Sequence, residues 1–198
     1  GGLCAAADLA RRGVAVTVLE RAAAPGGKMR EVPVDGTAID GGPTVFTMRW
    51  IFDQLFADAG TSLDAALDLV PAEVLARHAW RAGGRLDLYA DVDRSAEAIA
   101  EFAGAADGRG YREFCARSAD IYRTLRESFI AGQRPGPMEL VRRVGLANLG
   151  AMWRTAPYAT LWRELGRHFR DPRLRQLFGR YATYVGSSPL AAPATLML

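Results

Sequence analysis

The sequence predicts an α/β chain with a nucleotide-binding beginning, a β-hairpin, and a mainly helical second half. Three observations predict it. Residues 3–12 read as a helix that runs through Gly13 into Val14-Ala15-Val16-Thr17-Val18-Leu19, the helix-to-strand step of a Rossmann-like unit. Leu86, Leu88 and Ala90 alternate with Asp87 and Tyr89 behind the turn Ala82-Gly83-Gly84, as in a half-buried hairpin. From Arg94 onward the apolar residues recur at helical spacing.

Each element has a local reason. Helix 3–12 stops at Gly13, because glycine takes the left-handed conformation without a Cβ clash. The run 14–19 is apolar on both faces, which predicts a buried parallel strand. Glu20 ends it, and a loop follows from Arg21 through Pro25-Gly26-Gly27. Short extended pieces are expected at 29–34 and 37–40, with a turn at Gly41-Gly42-Pro43. Trp50, Ile51, Leu55 and Phe56 space a helix over 48–59. Extended runs at 74–80 and 85–90 form the hairpin. Helices are expected near 94–103, 109–130, 138–153, 158–169 and 172–184, with another starting near 189. Pro135, Pro137 and Pro157 separate them, and Asp171-Pro172 supplies an N-cap and a first helical residue. The domains expected are 1–70, a partial nucleotide-binding domain lacking its first strand; 71–93, the hairpin of a substrate domain; and 94–198, a truncated helical domain facing substrate or membrane.

Composition bounds the function. The 198 residues are 49% hydrophobic and 24% charged, enough to bury a core, so wholesale disorder is excluded. No apolar run approaches the roughly 20 residues a membrane-spanning helix needs. The chain opens on Gly1-Gly2 and ends within an apolar pattern, so a fragment of a larger protein is expected. Cys4 and Cys115 lie far apart, which fits a reducing compartment and gives no metal-ligand spacing. Residues 1–108 hold 10 basic and 16 acidic side chains, net −6, while residues 109–198 hold 15 and 6, net +9. A basic second half can face nucleic acid, anionic lipid or an acidic cofactor, or simply be an arginine-rich solvated surface. Nucleic acid is disfavoured, because no binding module accompanies the arginines.

The chemistry-bearing motif begins with Gly2 and, 17 residues further on, Glu20. Gly2 takes the place of the third glycine of G-x-G-x-x-G, where a bare backbone lets helix pack on sheet. The N-terminus of helix 3–12 would favour a pyrophosphate, and Glu20 would accept ribose hydroxyls. Gly26-Gly27-Lys28 and Asp40-Gly41-Gly42-Pro43-Thr44 follow. Together these segments resemble the FAD-binding pattern of the flavin amine oxidase and carotenoid desaturase superfamily. The resemblance implies FAD as cofactor. It places Gly2, Glu20, Arg21, Gly26, Gly27, Lys28 and Met29 along FAD, and Gly42, Pro43 and Thr44 near its flavin end. Arginine is commoner at the position of Lys28, and lysine keeps the charge without the bidentate geometry.

The segments Gly42–Thr47 and Asp171–Phe178 resemble phytoene-desaturase-type enzymes. Phe178–Gly186, His78–Trp80 and Leu86–Tyr89 are most similar to the branch of 1-hydroxycarotenoid 3,4-desaturases, also called methoxyneurosporene dehydrogenases. That branch introduces a C3=C4 double bond into acyclic 1-hydroxycarotenoids. The resemblance spans nearly the whole chain and implies an acyclic carotenoid substrate; the sequence does not give the electron acceptor, which stays open between quinone and oxygen. It also implies a cytoplasmic enzyme, peripheral on the inner or photosynthetic membrane. No catalytic residue stands out. His78, Tyr89, Tyr181 and Tyr184 are candidates for a substrate channel, with Arg180 as a further polar candidate. Each has packing as an alternative role. Met138–Trp162, with its tryptophans and arginines, suits a membrane-surface segment or an ordinary core-facing helix pair. Two alternatives stay open: another flavin oxidase of the superfamily, acting on an amine or a porphyrinogen, and an inactive truncated chain.

Overall fold

The computed structural model describes residues 1–43, 45–132, 136–145 and 155–197. The chain divides into two compact units, Gly1–Pro71 and Ala72–Leu198.

The first unit opens with α1, Gly2–Arg11. Asp8 pairs with Arg11 at 2.7 Å and Arg12 at 3.0 Å along one face. Gly13, with φ +82°, ends the helix. The strand expected over 14–19 does not form. The segment belongs to no sheet, and its apolar side chains lie open, Val14 at 49% and Leu19 at 92% exposure. A strand needs a neighbour to pair with. Among the described residues the unit holds one sheet, the antiparallel pair β1 (Glu31–Val34) and β2 (Thr37–Asp40). Its two-residue turn is Asp35-Gly36, both at positive φ (48° and 81°), the turn whose twist matches the strands. Beyond the strands, Gly41 N–H donates to Arg30 O at 2.8 Å, which carries the pairing on towards Lys28. Helix α2, Arg49–Asp58, packs on α1, and Asp58 meets Arg11 at 3.4 Å. A short helix α3, Leu63–Ala66, is capped by Ser62 Oγ and buries Leu63.

The second unit is built on the hairpin β3 (Val74–Ala79) and β4 (Arg85–Tyr89), turned by Gly83 and Gly84 at φ +95° and +97°. The alternation in β4 sends Leu86 and Leu88 into the core. Helix α4 (Val92–Ala103) starts on the Asp91 cap and buries Ser95, Ala96 and Ile99. Helix α5 (Ala105–Leu125) begins four residues earlier than the sequence suggests, directly after Gly104 at φ +103°, and runs into a π-helical turn at Arg126–Ile130. Helix α6 is Pro137–Val144. The rest of the helix expected over 138–153 lies mostly outside the described residues. Helices α7 (Leu161–His168) and α8 (Pro172–Gly179) start on Thr160 and Asp171, each accepting a bond from a first-turn N–H. The helix expected over 172–184 tightens after Gly179 into a 3-10 turn, Arg180–Val185, and Gly186 closes it at φ +67°. The helix expected from 189 is a 3-10 turn at Ala194–Met197.

Phe169, Phe178, Leu165, Leu174, Ile99 and Leu86 centre the core of this unit. Phe169 and Phe178 stack at 4.8 Å and 14°. Two glycines let the helices close around it. A Cβ on Gly108 would meet Ala96 O at 2.7 Å, and one on Gly110 would meet His168 O at 1.9 Å. Asp107, 2% exposed, accepts from the backbone N–H of Arg170 at 2.6 Å and of Asp171 at 3.4 Å, tying α5 to the α7–α8 link. Asp107→Ala would strand those two donors. We expect it to cost about 2 kcal/mol in chemical denaturation of the full-length protein. Asp107→Asn, which keeps one acceptor oxygen, should recover part of that loss.

Helix α6 carries a pH-sensitive cluster. Glu139 accepts from Arg142 Nε and Nη2, both at 2.8 Å, and from Arg143 Nε at 2.9 Å. These bonds, Arg142's first, hold its carboxyl down at about 2, against an ordinary 4.5. A depressed carboxyl stabilises the fold fully above its unfolded value and loses that contribution as pH falls through its folded value. The prediction is that α6 keeps its amide-exchange protection at pH 5 and loses a small part of it between pH 4.5 and 2, small because the ion pair is exposed and screened by solvent. In Glu139→Gln that acid step should vanish.

Candidate functional site

In the first unit, two glycine-rich segments come together. Gly26 and Gly27 have φ +139° and +64°, and Met29 N–H donates to Gly26 O at 3.2 Å, so 26–29 is a tight turn. A Cβ on Gly26 would stand 2.7 Å from Met29 O. Gly42 lies directly against this turn, where a Cβ would sit 2.0 Å from Lys28 O and 3.0 Å from Lys28 C. Only bare backbone permits that approach. Lys28 and Met29 are exposed, and among the described residues no carboxylate lies within 4.0 Å of the Lys28 ammonium. Pro43 is exposed beside Gly42, and Thr44 lies outside the described residues.

Gly2 is the first residue of α1, and no side chain caps that end. A Cβ there would meet nothing within 4 Å, and the first N–H groups of an α-helix have no intrahelical acceptor. Glu20 is exposed and turns back on the chain, Oε1 accepting from Ala22 N–H at 2.8 Å. Arg21 beside it is exposed. Among the described residues no hydrogen bond or ion pair ties Gly2 or Glu20 to the paired segments 26–29 and 41–43. Chemically, a helix N-terminus, a close-approach glycine pair and an uncompensated ammonium can hold a diphosphate. A carboxylate at the end of an extended run can accept sugar hydroxyls. These residues fit a dinucleotide such as FAD.

The second unit holds a cavity of about 490 Å³ between β3 and α8. His78 and Trp80 line it from the hairpin side, Trp162 from α7, and Gln176 and Arg180 from α8 and the turn after it. Trp80 stacks on Phe102 at 5.0 Å and donates from Nε1 to Gln176 Oε1 at 3.1 Å. His78 Nε2 is buried without a partner. Burial first, then the charge of Arg180, push its imidazole below the ordinary range, with Asp87 opposing. His78 is therefore neutral at neutral pH.

The other channel candidates lie apart from the cavity lining. Tyr89 pairs with Val74 while His78 pairs with Leu86 further along the hairpin, and Arg94 covers the Tyr89 ring at 4.2 Å. Tyr181 and Tyr184 stack on each other at 5.9 Å and 16°, and Tyr181 stacks in turn on Phe178 at 6.5 Å. Tyr184 is 69% exposed. The Gln176–Trp80 bond and the Gly110 crossing escape sequence reasoning. They join residues 96 and 58 positions apart, and no local spacing signals either pair. Among the described residues no helix is long and apolar enough to cross a membrane, and no group of three or more His, Cys, Asp or Glu is placed to hold a metal.

Comparison with known proteins completes the picture. Residues 1–185 match the family described as flavin containing amine oxidoreductase. Over the whole chain the sequence is 53% identical to a hydroxyneurosporene desaturase of Rubrivivax gelatinosus, covering 38% of that protein. It is 45% identical over the whole chain to the hydroxyneurosporene desaturase of Cereibacter sphaeroides, covering 40% of it. A phytoene dehydrogenase of Streptomyces griseus is 34% identical over 98% of the chain, which covers 37% of that protein. The chain thus spans about two fifths of the length of the curated relatives it matches. With the match running through both the glycine-rich cradle and the helical second unit, the chain belongs to the flavin containing amine oxidoreductase family, which indicates FAD as its cofactor.

Proposed function

We propose that this chain is part of an FAD-dependent desaturase that introduces a C3=C4 double bond into acyclic 1-hydroxycarotenoids. One observation carries the reading. Identity along the whole chain is 53% and 45% to relatives named hydroxyneurosporene desaturase, against 34% to one named phytoene dehydrogenase.

In this reading the helix N-terminus at Gly2 and the cation of Lys28 offset the charge of the cofactor's diphosphate. Gly26, Gly27 and Met29 lie along it, Glu20 accepts its ribose hydroxyls, and Arg21 flanks that carboxylate. Gly42, Pro43 and Thr44 lead towards the reacting ring. When bound, FAD supplies a two-electron acceptor for the hydride equivalent leaving the substrate, and a proton leaves as the second hydrogen. The chain's residues bind and orient, with His78, Tyr89, Tyr181 and Tyr184 assigned to the substrate channel. Electrons pass on to quinone or oxygen. The domains follow the reading too: 1–70 holds cofactor, 71–93 is the substrate-domain hairpin, and 94–198 faces substrate and membrane. The net charge of +9 over residues 109–198 supports contact with anionic lipid, on a peripheral membrane protein at the cytoplasmic face.

The test uses the complete reading frame expressed with membranes. Matched 1-hydroxylated and unhydroxylated acyclic carotenoids are supplied, and products are followed by chromatography and absorbance. A red-shifted product from the hydroxylated substrate alone is expected. Conversion of the unhydroxylated substrate instead would move the enzyme to another desaturase branch. Bound flavin with conversion of neither would point to an amine or porphyrinogen oxidase.

A further inference from the structure

His168, the last residue of α7, stands where that helix crosses α5. A Cβ on Gly110 would meet its carbonyl oxygen at 1.9 Å and its Cα at 3.5 Å, so the two backbones touch there. The His168 ring lies among aromatic neighbours, 5.9 Å from Phe114 at 75° and 6.3 Å from Phe169 at 57°. Both ring nitrogens are buried, and neither has a hydrogen-bond partner among the described residues. Whichever tautomer it takes, a neutral imidazole here leaves one N–H and one lone pair unsatisfied.

A proton makes that mismatch worse. An imidazolium carries two donors and a full charge, and a buried charge needs a partner. The groups around His168 are already engaged. Glu164, one turn back on α7 and 3% exposed, is held by Arg117 of α5 at 3.2 Å and by Arg167 of α7 at 2.6 Å. Asp107 of α5 is held by the backbone N–H groups of Arg170 and Asp171. Arg175 of α8 adds a cation beside Gly166, where a Cβ would lie 3.3 Å from its Nη2. Glu113 of α5 is exposed, so water and salt screen its pull. Burial first pushes the His168 imidazole below its ordinary range. Glu164 and Glu113 oppose that shift, while Arg117 and Arg167 reinforce it.

We propose that His168 is a proton-sensitive pin at the α5–α7 crossing: neutral, it lets the helices close over it, and charged, it drives the end of α7 off α5. The movement has a direct route onward. Phe169 N–H donates to Leu165 O at 2.9 Å, and the next two N–H groups are those held by Asp107. That link joins α7 and α8, whose Trp162 and Gln176 line the 490 Å³ cavity. Acid therefore loosens the wall these helices give the cavity. The device stands independently of the desaturase reading.

The pH window follows from linkage. A histidine lowered by folding has no effect while the closed and opened states are both neutral. Stability falls once pH drops below the unfolded value of 6.5, where the opened state takes up a proton that the closed state refuses. This window lies above that of Glu139.

The experiment uses the full-length, FAD-loaded protein. Amide exchange at Phe169, Arg170 and Asp171 is followed from pH 8 to pH 5 and corrected for intrinsic exchange. Protection should be level down to about pH 6.5 and then fall, by at most about tenfold per pH unit, the slope of one linked proton. His168→Leu should hold protection level across the whole range, and so should His168→Gln, a second variant that keeps a polar group of similar size. His78→Phe, which removes the other histidine of this chain, should leave the fall in place. A wild-type profile level to pH 5 would overturn the proposal. So would an unchanged fall in both His168 variants, or a fall abolished by His78→Phe.

Discussion

Gly42→Ala in the full-length protein is expected to weaken flavin retention at least about tenfold. The physical reason is a backbone contact with nowhere to go. The new Cβ would lie 2.0 Å from Lys28 O and 3.2 Å from Met29 Cα. A carbon–oxygen contact needs well over an ångström more. A side chain in the way could change rotamer, but a main-chain carbonyl moves only with its segment. The segment 41–43 must therefore lift away from 26–29, and the 2.8 Å bond from Gly41 N–H to Arg30 O is strained with it. The cradle that presents Lys28 beside the glycine pair then widens. The control is Gly27→Ala. A Cβ there meets nothing within 4 Å, and only its φ of +64° resists, at about 1 kcal/mol. The measurement is the flavin-to-protein absorbance ratio after gel filtration, with circular dichroism to confirm folding. A stoichiometric flavin content in Gly42→Ala would refute the role given to this contact.

Gly110→Ala should destabilise the second unit by about 3 kcal/mol, the upper end of ordinary overpacking. Alanine is the better helix former, and on an isolated helix the same change would stabilise by up to about 1 kcal/mol. Here the methyl would stand 1.9 Å from His168 O, at the end of α7. That carbonyl belongs to a helix whose next residue, Phe169, is 1% exposed in the core. Moving it disturbs the Phe169–Phe178 stack and the Asp107 bonds to Arg170 and Asp171. A denaturation midpoint at or above wild type would show that α5 and α7 do not cross as closely as described. The neighbouring surface change Arg109→Ala, on the same helix, should stay within about 0.5 kcal/mol of wild type.

Much of the local structure was legible in the sequence, for reasons specific to particular residues. Asp171-Pro172 announced the start of α8, because a carboxylate cap and a fixed φ are both local devices. The alternation Leu86–Leu88 announced β4, since a two-residue period needs no knowledge of the partner. The run Val14–Leu19 shows the limit of that reasoning. Its β-branched residues state a preference for strand, but a strand exists only as a pair, and no pairing partner lies beside it among the described residues. Helix 172–184 fails more subtly. Helical spacing continues through Tyr181 and Tyr184, yet the backbone tightens after Gly179, which sits 3.4 Å from Pro189 as a Cβ would measure it. The start of α5 was misplaced because the Ala105–Gly108 stretch carries little apolar signal, although Gly104 frees the chain to turn.

The sequence by itself determined the family. The glycine-rich segments and their spacing to Glu20 are contiguous features, and the match over residues 1–185 agrees with what they imply. It also determined which residues carry charge, caps and turns, because those are properties of single residues and their near neighbours. Tertiary structure alone decided that Gly42 abuts Lys28, that Gly110 admits the end of α7, and that Gln176 meets Trp80 across 96 positions. Such contacts depend on the path of the intervening chain, and close packing tests them at a resolution of one methyl group.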